Sequence, residues 1–312
     1  MSQSNKFSII LHTGAGDISS HSENKIFIMK NFVENLIKQS LSLINEDRRK
    51  KTNLTAIDLS SFIVSELESS GLFNAGKGSV ARTNGAIVNE AAISDSNGNY
   101  GSCMGLRSVE FPILLAKEIM LHSDEKVLIP PSVEKYAIHR KLNMIDSDSY
   151  YVNSRYYNKD IISSRINASF NDEDYYNSKS SDHDTVGCVV LYKDVICSSV
   201  STGGVSNRCS GRVGDAPFIG AGIHTNDACG VSCTGIGEKL INHCLAYQVT
   251  FRMKQLNQSL QDAIDSSIKF VEHNCAGIIG ADKFGNVYAK YNTPSMIHAY
   301  YKSNQRKIII EI

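Results

Sequence analysis

The chain has no surplus of charge. Its 312 residues carry 32 lysines and arginines against 32 aspartates and glutamates, so nothing draws it to nucleic acid or to an anionic membrane surface. No apolar run approaches the ~18 residues of a membrane span. The run at 7–11 is short and is interrupted by Ser8, too little for the apolar core of a secretory leader. No C-x-x-C pair occurs among the eight cysteines, and Cys229 and Cys233 with His224 lack the spacing of a zinc site. Most of these cysteines sit among apolar or small residues, as buried free thiols of a reducing compartment do. No internal repeat is present. These absences leave a soluble, non-secreted, cytoplasmic protein. Its length, with an apolar content of 42%, suffices for one large domain or two small ones.

What is there reads as a layered alternation of strands and helices. Residues 7–12 (FSIILH) form a first strand that ends in a small-residue turn, Thr13-Gly14-Ala15-Gly16. Apolar residues at Ile28, Phe32, Leu36 and Ile37 give 25–45 a helical spacing, and 55–69 is a second helix with Thr55 and Asp58 in its first turn. The glycine-rich stretch 71–105 holds short strand-like pieces, and 111–121 is a short helix introduced by Pro112. From 150 to 184 the chain is polar and tyrosine-rich, with the composition of a linker. Two strands, 186–192 and 195–201, follow, joined tightly at Lys193-Asp194. After a glycine-rich loop at 203–222 come helices at 237–253 and 260–274, a hairpin of 277–281 with 287–291, and a closing strand at 308–312. Strands at both ends with helix pairs between them predict an α+β sandwich.

One threonine stands out. In His183-Asp184-Thr185-Val186-Gly187, Thr185 sits where the polar segment meets a β-branched apolar run. Cut before Thr185, the chain would gain an α-amine titrating near ~7.7–8.0, able to act as general base for the threonine's own hydroxyl. Uncut, it is simply a good β residue. Four other stretches carry polar groups that could serve such a nucleophile. Thr202, in Ser201-Thr202-Gly203-Gly204, returns close to Thr185 if the hairpin is regular, either as a strand-ending turn or as a second hydroxyl. Arg212 and Asp215, in GRVGD, either pair with each other or clamp the carboxylate and ammonium of a free amino acid. Cys233-Thr234-Gly235-Ile236-Gly237-Glu238 opens a helix, with Thr234 as N-cap or with its N–H groups facing a developing negative charge. Asn74 lies in GLFNAGKGS, whose Gly71-x4-Gly76-Lys77 is no phosphate loop: a helix precedes it, and Gly78 stands where Ser or Thr should be. That stretch reads as a tight turn with glycines at positive φ, leaving Asn74 as a pocket residue.

Taken together and in order, these segments resemble the plant-type asparaginase and isoaspartyl peptidase group of N-terminal-nucleophile hydrolases. The resemblance rests on LHTGAG (11–16), LFNAGKGSV (72–80), a diverged NEAAISD (89–95), HDTVGCVVL (183–191), STGG (201–204), GRVGDAPFIGAG (211–222), SCTGIGE (232–238) and YNTPSM (291–296). It implies a four-layer αββα sandwich, made as a precursor that cuts itself between Asp184 and Thr185 into an α chain (1–184) and a β chain (185–312). Thr185 would be the nucleophile, Thr202 its support, and Thr234 and Gly235 the oxyanion site. Arg212 would hold the substrate's α-carboxylate and Asp215 its α-amine, with Asn74 a further pocket residue. No cofactor is implied beyond a monovalent cation that could tighten a loop, and the expected assembly is a dimer of αβ units.

The relatives within this group leave mixed marks. His183-Asp184 before the threonine looks like glycosylasparaginases, and threonine aspartases also cut after aspartate. Gly203 and Gly204 are asparaginase-like. Asp215 favours a substrate with a free α-ammonium, which an aspartyl residue inside a protein lacks. The expectation is hydrolysis of L-asparagine and β-aspartyl dipeptides, with glycosylasparagine hydrolysis and protein cleavage after aspartate as alternatives. Glu90-Ala91-Ala92-Ile93-Ser94-Asp95 stands where the family carries Asp-Ala-Ser-Ile-Met-Asp, which keeps open a non-cleaving homologue acting as a binding protein.

Overall fold

A computed structural model describes residues 6–19, 21–82, 85–146, 150, 185–206, 208–209 and 211–312. Asp184 and the expected linker lie outside the described residues, apart from Tyr150. The larger of two sheets runs, edge to edge, through β12 (Ile308–Glu311), β11 (Ser295–Lys302), β1 (Ser8–Gly16), β5 (Val186–Tyr192), β6 (Val195–Thr202), β2 (Asn89–Asp95), β3 (Tyr100–Leu106) and β4 (Val127–Leu128). The smaller sheet runs through β10 (Val287–Tyr291), β9 (Ala276–Asp282), β8 (Cys229–Gly235) and β7 (Ile223–Thr225).

The strand period of two decides which side chain enters which core. On β1, Ile9 and Leu11 join the core beneath α1 (Glu23–Lys50), α2 (Ala56–Ser69) and α3 (Pro112–His122), which pack on the larger sheet. Ile10 points the other way and meets Val189, Ile279 and Met296, a second core between the two sheets. A third core lies between the smaller sheet and α6 (Leu245–Gln255) with α7 (Leu260–Ser267). β1 and β5 are therefore buried on both faces, which is why they read as apolar runs rather than alternations. The α+β class read from the sequence holds. Among the described residues no helix is long and apolar enough to cross a membrane.

Local signals set the start of α2. α2 begins on a reciprocal capping box, with the Thr55 side chain accepting from the Asp58 N–H and Asp58 accepting from the Thr55 N–H at 3.0 Å. Asp58 also takes the Lys117 ammonium at 2.7 Å, tying α2 to α3. The remaining short helices are α4 (Ser132–His139) and α5 (Gly237–His243).

Three expectations need correction. The single helix expected over 237–253 is two, because Cys244 takes φ 46° and ends α5. The first N–H groups of α6 then bond outside it, Ala246 to the Ala221 carbonyl at 3.2 Å and Tyr247 to Gly220 at 2.9 Å, which redirects the axis. The helix expected over 260–274 stops at Ser267 and tightens into a 3₁₀ turn, Ile268–Phe270. The strand β11, which begins inside YNTPSM at Ser295, has no counterpart among the expected strands, yet it pairs with β1 along Ser8–Gly16.

Candidate active site

A two-residue turn sets the geometry of the site. Lys193 and Asp194 both take positive φ, 50° and 62°, the combination whose twist matches the flanking strands. Tyr192 therefore pairs with Val195, and the ladder runs back to Val186 opposite Ser201. One step further, Thr185 falls opposite Thr202, and its hydroxyl donates to the Thr202 hydroxyl at 3.3 Å. A slip of one residue would turn Thr202 to the other face, so the turn fixes the pair. The Gly204 N–H donates to the same Thr202 oxygen at 2.9 Å.

Beside β5, on β1 and opposite Gly187, lies His12. Its Nε2 is 3.0 Å from the Ser232 hydroxyl, and burial drives its pKa down to about 3 against an opposing pull from the Thr185 main chain. It is therefore a neutral packing group beside the threonine and carries no charge near neutral pH. Gly187 is required by this contact: a Cβ there would lie 2.1 Å from the Ser232 hydroxyl and 2.4 Å from His12 Nε2.

Thr185 and Thr202 line a cleft together with Gly204, Arg212, Asp215 and Gly235. Its empty volume is about 220 Å³, the open solvent at its mouth included. Arg212 donates from Nε to Glu238 Oε1 at 2.9 Å and from Nη2 to Oε2 at 3.1 Å. This two-pronged pair holds the guanidinium plane. Burial would raise Glu238, but Arg212 outweighs it and holds the carboxyl at about 2.

Asp215 behaves in the opposite way. Desolvation raises it to about 7 even with Arg212 nearby, and Glu90 and Glu238 push in the same direction. Its Oδ2 is buried without a hydrogen bond among the described residues. A buried carboxylate oxygen with no donor, in a cleft, is a receptor for a cation.

Two of the expected site residues are placed differently. Asn74 does not line the cleft. It braces the turn after β6: its amide donates to the Gly204 carbonyl at 2.6 Å, its carbonyl takes the Gly203 N–H at 3.0 Å, and its side-chain oxygen takes the Val80 N–H at 3.0 Å. Thr234 belongs to the end of β8, and Ile236 rather than Thr234 precedes α5 as its N-cap residue. Its buried hydroxyl accepts the Ala15 N–H at 3.3 Å, and Gly235 is the member of that pair that lines the cleft. Gly235 takes φ 143°, and a Cβ there would sit 2.0 Å from the Cys275 carbonyl oxygen.

The cysteines and His224 of the discounted zinc reading lie apart from this cleft. Cys229 and Cys233 are in the core under α6 and α7, and His224 Nδ1 pairs with the Thr250 hydroxyl at 2.7 Å. Among the described residues no three His, Cys, Asp or Glu side chains converge on a point that could hold a metal.

Residues 5–311 match the family described as Asparaginase. The chain belongs to that family and is a hydrolase. It is 31% identical to the probable isoaspartyl peptidase/L-asparaginase 2 of Arabidopsis thaliana, over 79% of this chain and 82% of that one. It is 30% identical to the isoaspartyl peptidase of Salmonella typhimurium, with 95% of each chain covered. The plant-type L-asparaginase of Pyrococcus furiosus is 30% identical, covering 96% of this chain and 97% of that one.

Proposed function

We propose that this chain is an autoprocessed threonine amidohydrolase that releases ammonia from L-asparagine and amino acids from β-aspartyl dipeptides. The observation that carries the reading is a hydroxyl pair, Thr185 with Thr202 at 3.3 Å, in a cleft that also holds Arg212 and Asp215, whose Oδ2 has no hydrogen-bond donor among the described residues. A free amino acid head group carries one negative and one positive charge, and those two residues match it in sign.

In processing, the Thr185 hydroxyl attacks the Asp184 carbonyl carbon. The Asp184–Thr185 peptide bond breaks as the acyl group moves to oxygen, and water hydrolyses the ester to leave a free Thr185 α-amine. In turnover that amine takes the hydroxyl proton while the oxygen attacks the substrate's side-chain amide. The proton passes to the departing ammonia or amino acid, and water resolves the acyl-threonine to free aspartate. Thr202 orients the nucleophile, and the end of β8 supplies the oxyanion site, Gly235 at the cleft with Thr234 behind it. Arg212 takes the α-carboxylate and Asp215 the α-ammonium, with Asn74 supporting the Gly204 wall from behind.

Asp215 favours this substrate class over aspartyl residues inside proteins, which have no ammonium for it. The resemblance extends the reading to a four-layer αββα sandwich of an α chain (1–184) and a β chain (185–312), paired in dimers. A loop-bound monovalent cation belongs to the same reading. The free cysteines, mostly buried, support a reducing cytoplasmic setting. The test is turnover by purified protein of L-asparagine, a β-aspartyl dipeptide and a glycosylated asparagine. Release of ammonia or amino acid from the first two supports the reading. Activity on the glycosylated substrate alone replaces it with the glycosylasparaginase alternative.

A further inference from the structure

The wall behind the cleft contains a buried ion pair that the proposed chemistry does not use. Arg82 and Glu90 have fully buried side chains, with Arg82 Nη2 3.3 Å from Glu90 Oε1. Both sit in segments where apolar or small polar side chains would have closed the space without removing two charges from water. The Arg82 Nε and Nη1 have no hydrogen-bond partner among the described residues, so the pair is held by charge and by packing rather than by a full set of hydrogen bonds.

Each end of the pair touches one wall of the cleft. At the arginine end, the guanidinium lies against the α-carbon of Gly204, where a Cβ would meet Nη2 at 2.5 Å, Nη1 at 2.7 Å and Cζ at 2.8 Å. Gly204 takes φ 76° and is the residue whose N–H holds Thr202. At the glutamate end, Oε2 accepts the Gly214 N–H at 2.9 Å. Gly214 lies between Arg212 and Asp215, and a Cβ on it would be 3.0 Å from Arg212 Nη1 and 3.3 Å from Glu90 Oε2. Glu90 also stands opposite Thr202 in the ladder between β2 and β6.

Glu90 thus faces two guanidinium groups, Arg82 on its own side and Arg212 at the cleft. Glu238 grips Arg212 from the exposed side through Nε and Nη2, leaving Nη1 beside Gly214. The turn that carries Arg212 and Asp215 has glycines at 211 and 214, which resist no rotation of their own. The Glu90 carboxylate is one restraint on that turn, through the Gly214 N–H that it accepts.

We propose that the Arg82–Glu90 pair is a positioning unit that fixes the distance between the threonine wall and the Arg212–Asp215 clamp, with Glu90 setting the Gly214 turn. It touches neither substrate nor reacting atoms and acts through Gly204, Gly214 and Arg212. The inference rests on the reading of Arg212 and Asp215 as the head-group clamp.

The test uses full-length protein in three forms: wild type, Glu90→Gln, and the double variant Arg82→Met with Glu90→Gln. The double variant removes both charges together and so avoids leaving one buried and uncompensated. Each form is followed for its thermal midpoint, for a new N-terminus at Thr185, for kcat and KM on a β-aspartyl dipeptide, and for L-aspartate binding by calorimetry. Positioning of the clamp predicts that the double variant folds and cleaves, keeps kcat within about threefold, and raises KM and the L-aspartate Kd at least tenfold. A folded double variant with KM and Kd unchanged overturns the proposal, and so does one in which only kcat falls. A wild type that neither turns over the dipeptide nor binds L-aspartate overturns the clamp reading and the proposal together. A wild type that does both, beside an unchanged variant, overturns the proposal alone.

Discussion

Replacing Asp215 by asparagine should make the protein more stable and less able to bind its substrate. The carboxyl is raised to about 7 by burial, about three units above an unperturbed aspartate. The sign follows from linkage. A carboxyl whose folded pKa is raised costs stability as it ionises, so the cost is absent below the unfolded value near ~3.9 and complete above the folded value. At about 1.36 kcal/mol per unit, the ionised group costs on the order of 4 kcal/mol at pH 8. The buried Oδ2 without a donor is the physical form of that cost. Asp215→Asn removes it, and at roughly 2 °C per kcal/mol for a chain of this size the melting midpoint should rise by about 8 °C at pH 8. At pH 4.5 the two proteins should melt within about 2 °C of each other. An incoming ammonium relieves the same cost in the wild type. Between pH 7 and pH 6 the ionised fraction of Asp215 falls from about a half to about a tenth, so the wild-type kcat/KM should fall about fivefold more than that of the weaker variant. Thermal denaturation across pH, with initial rates at low substrate, measures both. A variant less stable than wild type at pH 8, or a pH gap that opens toward acid, would refute the argument.

Other outcomes follow from the same contacts. Thr185→Ala should remain one chain on a denaturing gel and show no turnover, because it removes the oxygen that attacks in both steps. Gly187→Ala should cost about 3 kcal/mol, since its methyl must displace Ser232 or His12; a midpoint within 2 °C of wild type would contradict the packing. Asp47 on α1 accepts from Tyr192 and Lys193 at 2.7 Å each and from Thr52 and Leu54 at 3.0 Å. Burial would raise it, but these donors hold it far below the usual carboxylate range. Its contribution is thus present above the unfolded value near ~3.9 and lost as pH falls further. Asp47→Asn should lose about 2 kcal/mol at pH 7, with the difference from wild type shrinking below pH ~4 in urea titrations.

The parts of the site that could be read from the sequence are those set by short-range rules. Lys193-Asp194 between two apolar runs specifies the hairpin, and the hairpin brings Thr185 to Thr202. Arg212 and Asp215 lie in one glycine-flanked turn, so both reach the cleft together. What could not be read depends on partners far along the chain. β11 is legible only once β1 is known to lie beside it, because its buried His298 and its tyrosines blur the alternation. The break at Cys244 comes from the carbonyls of Gly220 and Ala221, which accept the first N–H groups of α6. Arg82 and Glu90 look like surface charges in a linear reading, and Asn74 and Thr234 bond to Gly204 and Ala15, far along the chain. In each case the missing information was the identity of a distant neighbour.

Processing at Thr185 is the step on which the proposed chemistry depends. Intact mass spectrometry with N-terminal sequencing of the purified protein tests it most directly. The expected result is two chains, one of 184 residues and one of 128 (312 − 184) beginning at Thr185. A single 312-residue chain that persists on prolonged incubation, with Thr185 intact, would contradict it and favour a non-cleaving binding protein.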